Sequence, residues 1–271
     1  MSLRVVTIQP GDRKAIAGQI REIEFHAVYP FGEESFRIDH GVDYFRFFDR
    51  LGKVSYYCVM DGQRLAAVAA AILRPVPFKH YSEFKKCWYL CDLKVHPDYR
   101  GKRLPLLLFR RAVIPALLRA RRGYAISMNG AGPNRVASIL RNAPIASMAV
   151  QGILNFYSLS ADEVRSHRSL IEKHRGAISF LCLQGIKDLI MTQSGLPMPL
   201  AHFQFGPSAA DIGTNVSANP IDGFRHMIVA PATDDLALDF ARHGVPVGAT
   251  ATILAYRMNH ADFRFILSSD I

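Results

Sequence analysis

Between Trp88 and Pro105 the chain sets an alternating run, a cluster of cations and a helix start in direct succession. Tyr89, Cys91, Leu93 and Val95 alternate with Trp88, Leu90, Asp92 and Lys94, a period of two that marks a strand with one apolar face. Pro97 has no N–H for a ladder and ends that strand. Arg100, Gly101, Lys102 and Arg103 follow, with Gly101 permitting a sharp turn. Pro105 suits the first turn of a helix, where an N–H would be unpaired anyway. A basic loop feeding a helix N-terminus is an anion site, because its amides and the helix dipole both point at the ligand.

These residues resemble motif A of the GNAT acyltransferase superfamily, in which a strand ending Val-x-Pro-x-x-Arg-Gly-Lys-Gly-x-Gly leads into a helix. Val95, Pro97, Arg100, Gly101 and Lys102 match, whereas Arg103 and Pro105 stand where the pattern prefers glycine or alanine. Asn134, Ala137 and Leu140 echo the family's motif B, whose tyrosine is replaced here by Arg141. The resemblance implies acetyl-CoA or another acyl-CoA as co-substrate and a small amine as acceptor. Amides of Arg100, Gly101, Lys102, Arg103 and Leu104 would then meet the pyrophosphate, and Leu93 and Val95 would pair through their backbones with the pantetheine arm. Asn134 joins this cofactor-binding set. The usual acid for the leaving thiolate is missing at Arg141.

The mechanism so implied needs a base for the acceptor ammonium. Asp92 on the central strand is the first candidate, since burial beside the thioester would raise its pKa. The competing account is a carboxylate satisfied by Lys94 or a backbone amide. Glu24, on the first helix near the acceptor side, is the second candidate, against a plain surface role. Glu33 and Glu34 could bind a cationic acceptor or simply face solvent.

The elements around these residues follow the order β-α-α-β-β-β-α-β-α-β over residues 1–160, the order the resemblance requires. Arg4 to Ile8 reads as a strand, and Ile16, Ile20, Ile23 and Ala27 repeat at helical spacing. Glu33 to Arg50 carries five aromatics, Phe36, Tyr44, Phe45, Phe47 and Phe48, in an irregular helix pattern. Asp61-Gly62 joins two strands as a hairpin, with Pro75 and Pro77 ending the second. Lys79 to Lys86 reads as a polar loop, Leu104 to Arg122 as a helix kinked or divided at Pro115, and Gly123 as its C′ residue. Strand 124–129, helix 134–141 and strand 149–159 complete the first unit.

The expected fold class is α/β: a GNAT-like mixed, largely antiparallel central sheet flanked by helices, with a smaller C-terminal α/β module at 161–271. In that module Ala161 to Arg175 is helical, Gln193 to Pro220 reads as a long linker, and strands are expected at 224–229, 250–257 and 263–267. It looks like half of a second GNAT domain without its CoA loop. An unrelated cap, a degenerate copy and an arm for a homodimer all remain open.

Net charge is +10 over 271 residues, densest between Arg100 and Arg122, which fits a local anion site. No aromatic–basic interleaving recommends nucleic acid as partner. No apolar run approaches the roughly 20 residues of a membrane span, and Met1-Ser2-Leu3-Arg4 runs straight into a strand pattern rather than a signal peptide. Cys58, Cys87, Cys91 and Cys182 lack metal spacing and read as free thiols of a cytoplasmic protein. The functional expectation is a CoA-dependent N-acyltransferase acting by direct attack in a ternary complex, with no metal. The alternative is a GNAT-fold binding or regulatory protein that has lost catalysis.

Overall fold

The computed structural model describes residues 3–31, 34–78, 82–206 and 215–271. The N-terminal elements are β1 (Leu3–Ile8), α1 (Arg13–Phe25), β2 (Tyr29–Phe31), β3 (Glu34–Asp39), α2 (Tyr44–Asp49), β4 (Lys53–Asp61), β5 (Arg64–Phe78), β6 (Glu83–Val95), α3 (Leu104–Arg119), β7 (Gly123–Met128), α4 (Arg135–Arg141) and β8 (Ala149–Leu159). The chain continues through α5 (Ala161–Arg175), β9 (Ile178–Cys182), β10 (Asp188–Met191), β11 (Leu200–Phe205), β12 (Val216–Ser217), β13 (Arg225–Pro231), α6 (Asp235–Arg242) and β14 (Ala249–Tyr256).

Eleven of these strands form one sheet in the order β1-β4-β5-β6-β7-β14-β8-β13-β11-β9-β12. Its pairings are antiparallel except β6 with β7 and β11 with β13. Strands β10, β3 and β2 make a small second sheet. The main sheet runs without interruption past residue 160. Strand β14 lies between β7 and β8 and pairs antiparallel with both. Helices α1 and α2 pack on one face with Ile16, Ile20, Ile23, Phe45 and Phe48. Helix α3 packs on the other, where Leu104 and Leu108 meet Val59 and Trp88. Further along, α5 and α6 bury Val164, Ile171, Leu236 and Phe240 against β8 and β13.

Several sequence expectations are corrected. Residues 34–50 form β3 and then the short α2, because β10 supplies a pairing partner from far along the chain. Pro75 and Pro77 do not end β5. β4 pairs with it only as far as Leu73, so both prolines sit on a stretch with one open side that needs no donor. Glu83 to Lys86 belong to β6. Helix α3 passes Pro115 undivided, and Gly123 begins β7 instead of closing the helix. Residues 193–220 contain β11, whose six residues are all buried, and 263–267 turn as a short 3-10 segment. Strands β9 and β10 were not anticipated. The four cysteines carry no disulfide.

Leu254 is fully buried on β14, the strand that joins β7 to β8. Leu254→Ala is therefore expected to cost about 2–5 kcal/mol. Fluorescence of Trp88, the single tryptophan, and far-UV circular dichroism should shift their urea midpoints together. A Trp88 midpoint that stays put would contradict this coupling.

Candidate active site

Strands β6 and β7 pair over Trp88–Leu90 and Gly123–Ala125, and over no later residue. Beyond Leu90 and Ala125 they part, β7 staying with β14 and β6 with β5. The parting leaves one edge of residues 91–95 unpaired and opens a cavity of about 440 Å³ that reaches both faces of the sheet. On the α3 side it is lined by Leu93, Pro105, Leu108, Phe109 and Leu140. On the α1 side it is lined by Tyr29, Phe36, His40, Lys187 and Leu189.

A bulge sits where the strands begin to part. Val68 opposes Lys94 and Ala70 opposes Cys91, so Asp92 and Leu93 face a single residue of β5. Asp92 takes up the extra length at φ +57°, a conformation uncommon outside glycine. The bulge overturns the simple alternation expected for this strand. Cys91 packs on the α1 side with Tyr89, whereas Leu93 and Val95 turn to the α3 side. Asp92 and Lys94 point toward α1.

There the structure brings together both carboxylates expected as bases. Lys94 Nζ donates to Glu24 Oε1 at 2.9 Å and to Asp92 Oδ1. Glu24 Oε1 also meets His40 Nδ1 at 2.6 Å. Glu24, His40 and Lys94 are all buried, and the Asp92 side chain is 4% exposed. Acids and lysines are almost never buried this deeply unless paired. Burial works to raise the Glu24 carboxyl, but the His40 hydrogen bond and the Lys94 charge outweigh it and bring it down to about 2. Burial pushes His40 down to about 4, so near neutrality its ring is uncharged and Nδ1–H is the donor to Glu24. Burial and the nearby Glu24 push Asp92 up to about 6 despite Lys94. Burial favours neutral Lys94, yet Asp92 and Glu24 overcome it and raise its pKa. Asp92 Oδ2 is buried without a hydrogen-bond partner.

The basic loop lies at the β6–α3 junction and is braced from below. Arg64 donates to Asp98 at 2.8 Å, Tyr99 Oη donates to Asp61 at 3.1 Å, and Arg100 Nη2 donates to the His26 carbonyl at 3.3 Å. The amides of Arg100 and Lys102 close turns onto Pro97 and Tyr99. Those of Gly101, Arg103 and Leu104 have no acceptor among the described residues. Gly101 has φ +82° and Arg103 φ +55°, so arginine occupies a left-handed position that suits glycine at a cost of roughly 1–2 kcal/mol.

Asn134 caps α4. Its Oδ1 accepts from Ala137 N and Ser127 Oγ, both at 2.9 Å, and its Nδ2 donates to Asn129 Oδ1 at 3.0 Å. This carboxamide clamps α4 to the end of β7. Arg141 is exposed in the last turn of α4. Glu34 is exposed at the start of β3, and Glu33 lies outside the described residues. Sequence reasoning overlooked His40, Lys187, His202 and Asp270 as cavity-lining residues. None carries a local signal, because each reaches the cavity through long-range packing.

The fold is similar to that of the GCN5-related N-acetyltransferases. A solved GCN5-related N-acetyltransferase from Anabaena variabilis superposes at TM-score 0.50 and 7% identity, covering 94% of this chain and 72% of that one. A GNAT-family acetyltransferase from Streptococcus pneumoniae is similar over 56% of this chain and 87% of its own, at TM-score 0.39 and 12% identity. In sequence, the chain is similar to the "Uncharacterized protein L340" of Acanthamoeba polyphaga mimivirus. The two are 26% identical over 240 residues, 84% of this chain and 68% of the viral protein. No family model matches the chain. No described helix is long and apolar enough to cross a membrane.

Replacing Lys94 with methionine would leave two carboxylates facing one another in a buried site, so a loss of about 3–5 kcal/mol is expected in chemical denaturation. Glu24 gives a second reading. Its folded-state pKa, about 2, lies below the ordinary 4.5. Its contribution is therefore in place above the ordinary value and is lost as pH falls toward the folded one. The Tm advantage of the wild type over Glu24→Gln should shrink as pH drops from about 5 to about 2. A pH-independent gap would speak against the depressed carboxyl.

Proposed function

We propose that the protein is an acyl-CoA-dependent N-acyltransferase acting on a small amine, with residues 1–160 holding the cofactor cleft and 161–271 completing it as a second unit. The observation that carries this reading is the cavity itself. It runs between parted strands, has a phosphate-type loop close to the α3 side, and holds a buried carboxylate with an unpartnered oxygen.

The residues present suit acyl-CoA. The open amides of Gly101, Arg103 and Leu104 stand at the start of α3, where backbone donors and dipole favour phosphate. The side chains of Lys102 and Arg103 are exposed beside them. Leu93 and Val95 present the unpaired edge of β6 to the pantetheine amides. Pro105 contributes no donor, and the Arg103 guanidinium offsets that with a charge-assisted contact. Acyl-CoA supplies an activated thioester carbonyl, and the chain's residues do the rest.

Asp92 is the base in this reading. Its Oδ2 takes a proton from the acceptor ammonium, freeing the nitrogen lone pair for attack on the carbonyl. With a pKa near 6 it is ionised at neutral pH yet closer to the pKa of an amine than an ordinary aspartate. Lys94 holds Oδ1 and stabilises the ionised form. Glu24, already committed to Lys94 and His40, positions the lysine rather than receiving the substrate's proton. Positioning two bound substrates in one cleft is a large part of the acceleration.

Acetyl-CoA or a longer acyl-CoA should raise the melting temperature in a saturable way, as a ligand that binds only the native state must. No shift at millimolar concentrations would refute the assignment. Asp92→Asn should lower kcat/KM by about 10²–10⁴-fold while leaving that thermal shift in place. In the wild type, kcat/KM should climb with pH through about 6 as Asp92 ionises.

A further inference from the structure

The cavity that Asp92 lines also meets buried positive charge in excess of the acid beside it. Lys187 ends a tight turn in which Ile186 N and Lys187 N both donate to the Leu183 carbonyl. The turn is held close to the loop after β3. A Cβ on Gly41, at φ +65°, would come within 2.2 Å of the Gly185 carbonyl oxygen. Only glycine permits that approach, which holds the turn that leads into Lys187 against this loop. Lys187 is 7% exposed and lines the cavity. Its Nζ lies 4.7 Å from the centre of the Phe47 ring. Among the described residues this Nζ has neither a hydrogen-bond nor an ion-pair partner.

Arg50 stands behind it over the same ring, at 4.8 Å. Its three guanidinium nitrogens are buried without a hydrogen bond. The nearest carboxylate, Asp270, is 3.8 Å away and is already bound to Arg74 at 2.8 Å. Three cations therefore share one acid. His202 adds no charge near neutrality, because burial holds it well below its ordinary range. Burial, with Arg50 and Lys94 nearby, also brings Lys187 down to about 7, while Asp270 works against this. An unpaired buried ammonium is costly, and an anion entering the cavity would remove that cost. Phe36, Ile38, Phe48, Leu189 and Met227 line the rest of this side with apolar surface.

We propose that the acceptor is an amino acid with an uncharged side chain: its amine meets Asp92, its carboxylate pairs with Lys187 in front of Arg50, and its side chain lies on the apolar wall. This rests on the N-acyltransferase reading and narrows it. The acceptor ammonium loses one proton to Asp92 and its nitrogen forms a bond to the acyl carbon. The carbon–sulfur bond breaks with its electron pair on sulfur, the second proton of the acylated nitrogen passes to that thiolate, and the products are an N-acyl amino acid and CoA.

The test compares matched pairs, leucine with isoamylamine and phenylalanine with phenethylamine, by calorimetric titration with and without CoA and by turnover with acetyl-CoA. The amino acid should bind at least about tenfold more tightly than its decarboxylated partner, as expected for a buried charge pair. Lys187→Met should bring that ratio to within about twofold, leave acetyl-CoA binding unchanged, and raise Tm by removing an uncompensated charge. Lys187→Gln provides the same comparison should the methionine variant misfold. Equal binding of acid and amine by the wild type overturns the proposal, as does a preference that survives in both variants. If acetyl-CoA fails to bind while leucine still outbinds isoamylamine, the transferase reading falls and the carboxylate site stands.

Discussion

A lysine ammonium buried between two carboxylates is the constraint on which this site depends. Lys94 cannot stay charged at that depth unless Asp92 and Glu24 both reach it, and neither acid tolerates the interior without the lysine. The requirement fixes three parts of the chain at once. β6 must bulge so that Asp92 turns toward the lysine. α1 must bring Glu24 inward beside Ile20 and Ile23. The segment after β3 must deliver His40 to the Glu24 oxygen that also meets Lys94. The aromatic residues of α2 then seal the group, with His40 packed against Tyr44, Phe47 and Phe48.

The charges are matched unevenly, and the unevenness separates roles. Glu24 has two partners on one oxygen and stays ionised to low pH. Asp92 has one partner on one oxygen and a second, buried oxygen with none, so of the two acids it titrates closer to neutrality. Two acids on one lysine are thus pushed apart in pKa, the arrangement from which separate structural and proton-transfer duties follow. Lys187 lines the same cavity and has no ion-pair partner among the described residues, which sets an unmatched cation in the pocket that also holds Asp92.

Within the first 160 residues the parts with local signals were legible, whereas β3 and the reach of β5 and β6 past Pro75 and Pro77 depend on distant pairing and were not. The early alternation of β6, Asp61-Gly62, the basic turn at Gly101 and the short helix from Asn134 each occupy a few adjacent residues. The later strands were obscured for a physical reason. β11 lies inside a stretch rich in glycine, proline and serine, and its buried residues include His202 and Gln204, which break an apolar pattern. Their polar atoms are satisfied by Ser268 and Ser269 more than sixty residues away. The site divided in the same way. Asp92 and Glu24 could be named as acids from the sequence, but their meeting at Lys94 depends on the bulge. No residue near Lys187 announces that the β3–β10 pairing will carry it into the cavity.

The placement of β14 has a kinetic consequence. Residues 249–256 fill the gap between strands at 123–128 and 149–159, so about one hundred residues are synthesised while β7 and β8 still expose unpaired edges toward each other. Contacts of such sequence separation are slow to form, and open edges in the interval invite pairing with other chains. The wall of the cleft beside Ser127 and Asn129 is complete only once Thr250 and Thr252 have reached it. The cleft therefore needs this late strand for its wall, and a chain lacking it would leave the edges of β7 and β8 open to aggregation.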